Sequence, residues 1–216
     1  MLARMVVIGD VHTEATRLAL VLDHARRAGV DGILCVGDIV DGPEDAARCI
    51  ELLREHDVIT VRGNHERWHL DGTPLEPLDV PDEARAWMAA LPTTRRLETV
   101  AGSLLLGHGV GEHDMTRLLP DDEGYALDCN FALWELVSDR AYRFAVGGHT
   151  HQRMVRRFDD LTFLNPGTLA RRDAPGFLDL DLRAGTGTWF QVDLERVAPD
   201  GGFVLDRIPR ERGPAA

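Results

Sequence analysis

The stretch "MVVIGD", Met5 to Asp10, is a short apolar run that ends on a glycine and a carboxylate. It reads as a buried strand. The pattern returns as "GILCVGD" (32–38), "VITVRGN" (58–64), "SLLLGHG" (103–109), "FAVGGH" (144–149) and "LTFLNPG" (161–167). Between the first three runs the period changes to that of a helix. Leu18, Val21, Leu22 and Ala25 share one face, and Ala46, Cys49, Ile50 and Leu53 share another. Thr13 is predicted to cap the first helix and Gly29 to end it, while Pro43, Glu44 and Asp45 suit the first turn of the second. Strand and helix in alternation predict a mainly parallel sheet whose loops gather at the strands' carboxyl ends.

Beyond residue 168 the apolar runs give way to strict alternation in "GFLDLDL" (176–182) and "TWFQVDL" (188–194), split by the turn-like "RAGTG". That predicts an antiparallel hairpin. From Pro199 onward only "GFVLDRI" is apolar, and the end is expected to fray.

Composition narrows the function classes. A chain of 216 residues with 44% hydrophobic and 28% charged residues suits one globular domain, residues 1–216. A net charge of −12 disfavours a long nucleic acid as partner, because such binding rests on a basic face. All 24 basic residues are arginine, which removes any lysine nucleophile or Schiff base. Cys35, Cys49 and Cys129 form no C-x-x-C pair and are expected to be buried apolar thiols. With no basic leader and no run of about 18 apolar residues, a cytoplasmic protein with no membrane partner is expected.

The residues just past the apolar runs carry the chemistry. They are Asp10 and His12; Asp38 and Asp41; Asn64 and His65; His108; His149 and His151; and Asn165. One such loop is unremarkable, but consecutive strands delivering Asp, Asn and His to one edge look like a metal site. Imidazole suits Mn, Fe, Zn, Ni and Co, carboxylate suits harder ions, and a shared carboxylate can bridge two cations. In "VGGHTHQ" (146–152) the alternate residues His149 and His151 can then reach different metals of a pair.

The ordered motifs "GDVH" (9–12), "GDIVDG" (37–42), "GNHE" (63–66), "GHG" (107–109) and "GHTH" (148–151) resemble the calcineurin-like metallophosphoesterase superfamily. The "NPGT" run (165–168) and the chain length look most like its small bacterial branch. The resemblance implies an α/β fold with a two-layer β-sandwich core flanked by helices, and two divalent metal ions. Mn²⁺ is the first choice, with Fe, Zn, Ni or Co as alternatives. Asp10, His12 and His151 would hold the first ion; Asn64, His108 and His149 would hold the second; Asp38 would bridge. His65 would contact the substrate phosphate or protonate the leaving oxygen, with Asp41 orienting it. Where the protein-phosphatase branch continues this second motif with a phosphate-clamping arginine, this chain has Gly42 and Pro43.

The expected activity is hydrolysis of a small phosphodiester or phosphomonoester by metal-bound hydroxide, with His65 as general acid. A protein phosphatase or dinucleoside-polyphosphate hydrolase is the second reading, and a metal-binding scaffold without catalysis the third. His24 and His56 are read as surface residues. Trp68, His69, His113, Asp114 and Arg117 are read as solvated loops that could rim the substrate, and Arg67 as able to reach a phosphate or to pair with a surface acid.

Overall fold

A computed structural model describes residues 1–75 and 80–211. Its elements run β1 (Arg4–Ile8), α1 (Ala15–Ala28), β2 (Gly32–Cys35), α2 (Ala46–Glu55), β3 (Ile59–Thr60), α3 (Asn64–Leu70), α4 (Asp82–Ala90), β4 (Arg95–Thr99) and β5 (Gly102–Leu106). They continue with α5 (Tyr125–Asp128), α6 (Phe131–Asp139), β6 (Phe144–Val146), β7 (Met154–Phe158), β8 (Leu161–Asn165), β9 (Gly176–Asp181), β10 (Thr186–Val192), β11 (Val197–Val204) and β12 (Arg210–Glu211).

Two six-stranded mixed sheets pack face to face, in the orders β11-β10-β9-β1-β2-β3 and β12-β7-β8-β6-β5-β4. Strands β1, β2 and β3 run parallel in one sheet, and β5, β6 and β8 run parallel in the other. The pleat explains why β1 reads as one unbroken apolar run. Met5 and Val7 pack between the sheets, beside Leu34, Leu104, Val146 and Leu178. Val6 and Ile8 face the other way and pack under α1 and α2 with Leu18, Val21, Cys49 and Ile50. A third cluster, with Leu133, Phe158, Leu161 and Phe163, seats α6 on the second sheet. The layers are therefore helix, sheet, sheet, helix, with three apolar interfaces. Truncating a fully buried side chain such as Leu34 to alanine costs about 2–5 kcal/mol.

Several details differ from the sequence reading. Thr13 does not cap α1: it stands at φ 57°, and its Oγ1 accepts a hydrogen bond from Glu44 N at 2.8 Å, tying the first loop to the second. His24 is not a surface residue. Its ring packs on Phe177 and Phe190, and its Nε2 lies 3.5 Å from Asp179. Burial works against ionisation of Asp179, but hydrogen bonds from His24 and Arg4 outweigh it and hold that carboxyl below its ordinary value. His56 ends α2 and is half-buried. Cys35 and Cys49 are buried as expected, whereas Cys129 is exposed.

The hairpin β9–β10 forms in the expected place, and β9 pairs antiparallel with β1. The chain after it is more ordered than expected: β11 extends the first sheet and β12 pairs with β7 of the second. The expected frayed end, residues 212–216, lies outside the described residues. Among the described residues no helix is long and apolar enough to cross a membrane.

Candidate metal centre

The carboxyl ends of β1, β2, β3, β5 and β6 meet at one rim of the sandwich, and the expected ligand loops leave from them. Three overlapping sets of donor atoms each lie within 4.8 Å of one another: Asp10, His12 and His151; His12, Asp38 and His65; Asp38, His108 and His149. Asp38 therefore belongs to two sets. Asn64 Oδ1 lies 2.9 Å from His108 Nε2 and 3.0 Å from His149 Nδ1, which brings the seventh expected ligand to the same place.

The imidazoles are aimed by oxygen acceptors behind them. His12 donates Nδ1–H to Asp41 O at 3.0 Å, His108 donates Nδ1–H to Val36 O at 2.9 Å, and His151 donates Nδ1–H to Asp173 Oδ2 at 2.7 Å. A carbonyl or carboxylate can only accept, so each ring turns its Nε2 inward, the nitrogen that can coordinate a metal once it carries no proton. His12 Nε2 and His151 Nε2 face each other at 3.0 Å. Asp10 Oδ2 is buried with no hydrogen-bond partner, while Oδ1 accepts from His149 N at 3.0 Å. An orphaned buried carboxylate oxygen beside converging imidazole nitrogens is a donor set that fits divalent cations.

Charge within the cluster is strongly coupled. Burial opposes a proton on His108, but the Asp38 carboxylate 3.1 Å away overrides it and pushes His108 up to about 10. Burial likewise opposes the charge on Asp38, and His108 overrides it, holding that carboxyl well below the usual range. Burial lowers His12 and His149, so both favour the neutral form that coordinates.

The loops achieve this at a conformational cost. His12, Asp38, Asp41, His149 and His151 all stand in left-handed backbone, with φ between 45° and 63°. Such positions cost on the order of 1–3 kcal/mol each and persist where surroundings over-determine them. The neighbouring glycines allow close approach. A Cβ on Gly63 would lie 2.2 Å from Asp38 Oδ1, and one on Gly148 would lie 2.8 Å from Asp10 Oδ2.

Bracing residues that the sequence reading left without a role hold these turns. Glu66, fully buried, accepts from Asp38 N at 2.9 Å, Ile39 N at 2.6 Å, Val40 N at 3.2 Å and Gly63 N at 2.9 Å. Its place three residues after Gly63 is the capping-box spacing, a signal available in "GNHE". Asn165 donates Nδ2–H to Gly148 O at 2.9 Å and to Thr150 Oγ1 at 3.0 Å, bracing the loop that carries His149 and His151. Thr168 Oγ1 donates to Asp10 O at 2.8 Å. Asp173 had no signal in its spacing.

His65, the second residue of α3, belongs to the set with His12 and Asp38 and to neither of the other two. Its Nδ1 is 2.7 Å from Asp41 Oδ2, its Nε2 is 3.8 Å from Asp38 Oδ2, and its ring packs on Trp68 with centroids 4.9 Å apart. Arg67 is paired with Asp114 through contacts of 2.6 and 3.1 Å, which ties α3 to the loop after β5. His69 is buried on α3, so it is not a solvated loop residue. His113 and Arg117 are exposed and line a cleft beside the start of α6.

Comparison with known proteins agrees with this geometry. The fold is similar to a metallophosphoesterase from Sphaerobacter thermophilus, with a TM-score of 0.65, 22% identity and 89% of both chains covered. Sequence similarity is more local. It reaches 39% over 66 residues with serine/threonine-protein phosphatase 1 of Salmonella typhimurium, 30% of this chain, and 37% over 60 residues with an uncharacterized protein of Methanocaldococcus jannaschii, 28% of this chain. These segments span only 31% and 25% of those two proteins. Residues 3–184 match the calcineurin-like phosphoesterase superfamily domain. With that match running from β1 through β9 and enclosing every loop of the rim, the chain belongs to the calcineurin-like phosphoesterase superfamily.

Proposed function

We propose that the chain is a dinuclear metal-dependent phosphoesterase acting on small phosphodiesters or phosphomonoesters. The observation that carries this reading is Asp38, whose carboxylate belongs to two donor sets at once. Asp10, His12 and His151 would hold one divalent ion, Asn64, His108 and His149 the other, and Asp38 both. Mn²⁺ is the first choice, and the imidazole-rich set also suits Fe, Zn, Ni and Co. A bound pair supplies Lewis-acid polarisation of the phosphoryl group and lowers the pKa of water.

The chain's own residues do the rest. Asp41 accepts Nδ1–H from His65, which fixes the orientation of the ring. His65 Nε2 is then the nitrogen that carries a proton to the leaving oxygen. The half-buried Trp68 ring backs that imidazole and limits its rotation. The net charge of −12 supports a small substrate over a long nucleic acid, and the free thiols Cys35, Cys49 and Cys129 support a cytoplasmic location.

A protein-phosphatase or dinucleoside-polyphosphate activity is the second reading, favoured by the His65–Asp41 contact and by the local likeness to the Salmonella phosphatase. Gly42 and Pro43 argue against it, since they offer no cation beside the site. Turnover with added Mn²⁺ on bis-p-nitrophenyl phosphate, p-nitrophenyl phosphate, a phosphopeptide and a dinucleoside polyphosphate separates the two. Activity confined to the phosphopeptide or the dinucleotide would replace the first reading with the second, and no turnover on any of the four would remove both.

A further inference from the structure

Two consecutive arginines in the loop after β8 stand in opposite circumstances. Arg171 donates Nε–H to Glu14 Oε1 at 2.8 Å, and its Nη2 lies 3.1 Å from Glu14 Oε2 and 2.5 Å from Glu44 Oε1. Its charge is neutralised, and it ties the loop to the start of α1. Arg172 is exposed and has no ion-pair partner among the described residues. Both line a cavity of about 270 Å³ that also takes in His12, Asp41, His65 and Glu14.

Among the described residues, no carboxylate in that wall is available to Arg172. Glu14 is fully buried between Arg17 and Arg171, and Asp41 is engaged by His65. The remaining wall, Gly42, Pro43, Leu75 and Ala170, is uncharged. Among the described residues the cavity therefore offers one unneutralised guanidinium, in a wall it shares with His65. A guanidinium fork binds carboxylate or phosphate oxygens in pairs.

We propose that Arg172 is a specificity residue that binds a second oxyanion on the leaving side of the substrate. The inference rests on the phosphoesterase reading, because His65 as proton donor places the leaving group in this cavity. The substrate class is then a phosphoester whose leaving group is short and itself anionic. The volume agrees: it lies just below the roughly 300–1,000 Å³ of sites for drug-sized ligands, and holds one ring or a short chain bearing a single oxyanion.

The test compares 3-carboxyphenyl phosphate with 3-carbamoylphenyl phosphate, which are alike in size and differ in charge. The wild-type chain with Mn²⁺ is expected to favour the carboxylate ester about 5–30-fold in kcat/KM. Arg172→Gln is expected to abolish that ratio, with the change falling on KM, and Arg172→Lys to retain part of it. A ratio unaltered by Arg172→Gln overturns the inference. Calorimetric binding of both esters without added metal reads the same contrast independently of turnover. A chain that turns over neither ester, yet loses its binding contrast in Arg172→Gln, sinks the hydrolase reading and keeps the oxyanion site. A chain active on both, with ratio and contrast indifferent to residue 172, sinks the oxyanion site alone.

Discussion

His65 Nδ1 lies 2.7 Å from Asp41 Oδ2, and Asp41 holds that position from left-handed backbone at φ 60°. The contact leaves Nε2 as the ring's free nitrogen. His65→Asn is therefore expected to keep the fold and metal content while turnover falls about 10²–10⁴-fold on alkyl phosphates, the range for a lost general acid. The loss should be smaller on p-nitrophenyl esters, whose leaving group needs little protonation. Equal losses on both would assign His65 to phosphate binding instead.

Asp38→Asn is expected to impair activity more than His12→Ala, because Asp38 is the carboxylate placed both with His12 and with the His108–His149 pair, so its loss removes negative charge from both proposed ion positions. Metal per chain and turnover, measured together, check it. Near-normal activity with full metal content in Asp38→Asn would remove it from the bridging role.

Metal uptake should release protons. The protein's own charges hold His108 protonated up to about 10, so an ion arriving below that pH must displace its proton. Affinity for Mn²⁺ should then rise with pH between 6 and 8, up to tenfold per unit for each proton displaced. Calorimetry in two buffers of different ionisation enthalpy counts the protons. A pH-independent affinity with no proton release would contradict the charge arrangement around Asp38 and His108.

Glu66→Ala strips the acceptor from four backbone N–H groups, those of Asp38, Ile39, Val40 and Gly63. Unpaired buried donors cost about 1–3 kcal/mol each, and with water partly replacing the carboxylate a net loss of about 3–5 kcal/mol is expected. The denaturation midpoint and bound metal should fall together. A stable variant that loses only metal would limit Glu66 to shaping the Asp38 turn.

The fold and the ligand loops were legible for one physical reason. Strands buried on both faces, such as β1 with Val6 and Ile8 on one side and Met5 and Val7 on the other, read as unbroken apolar runs. A polar residue directly after such a run then marks the sheet's edge. Strand β4, "RRLET", escaped because it is a largely exposed edge strand. Strand β7, "MVRRF", escaped because its two arginines are buried, Arg156 through partners distant in sequence. Arg156, for example, reaches Glu211 Oε1 at 2.8 Å and Leu119 O at 2.9 Å. His24 was misplaced for the same reason, since Asp179 and Phe190 come from strands formed far along the chain. Asp173 meets His151 across 22 residues of loop and strand, a separation that no periodicity encodes.

The pairing of Asp10 with His149, and of His12 with His151, each across 139 residues, also sets an order of events in the cell. Ribosomes add about 5–20 residues per second, so the stretch from His65 to His149 takes roughly 4–17 s to emerge. Through that interval the nascent chain carries Asp10, His12, Asp38 and Asn64 without the second sheet's histidines. The two turns with unfavourable backbone angles, at His12 and at Asp38–Asp41, then have Glu66 and Glu44 to brace them but not the loops of the second sheet, and an ion met early would find half of the proposed ligands. If the proposed pair of ions is bound, loading would come last, and it would favour chains whose two sheets have already closed.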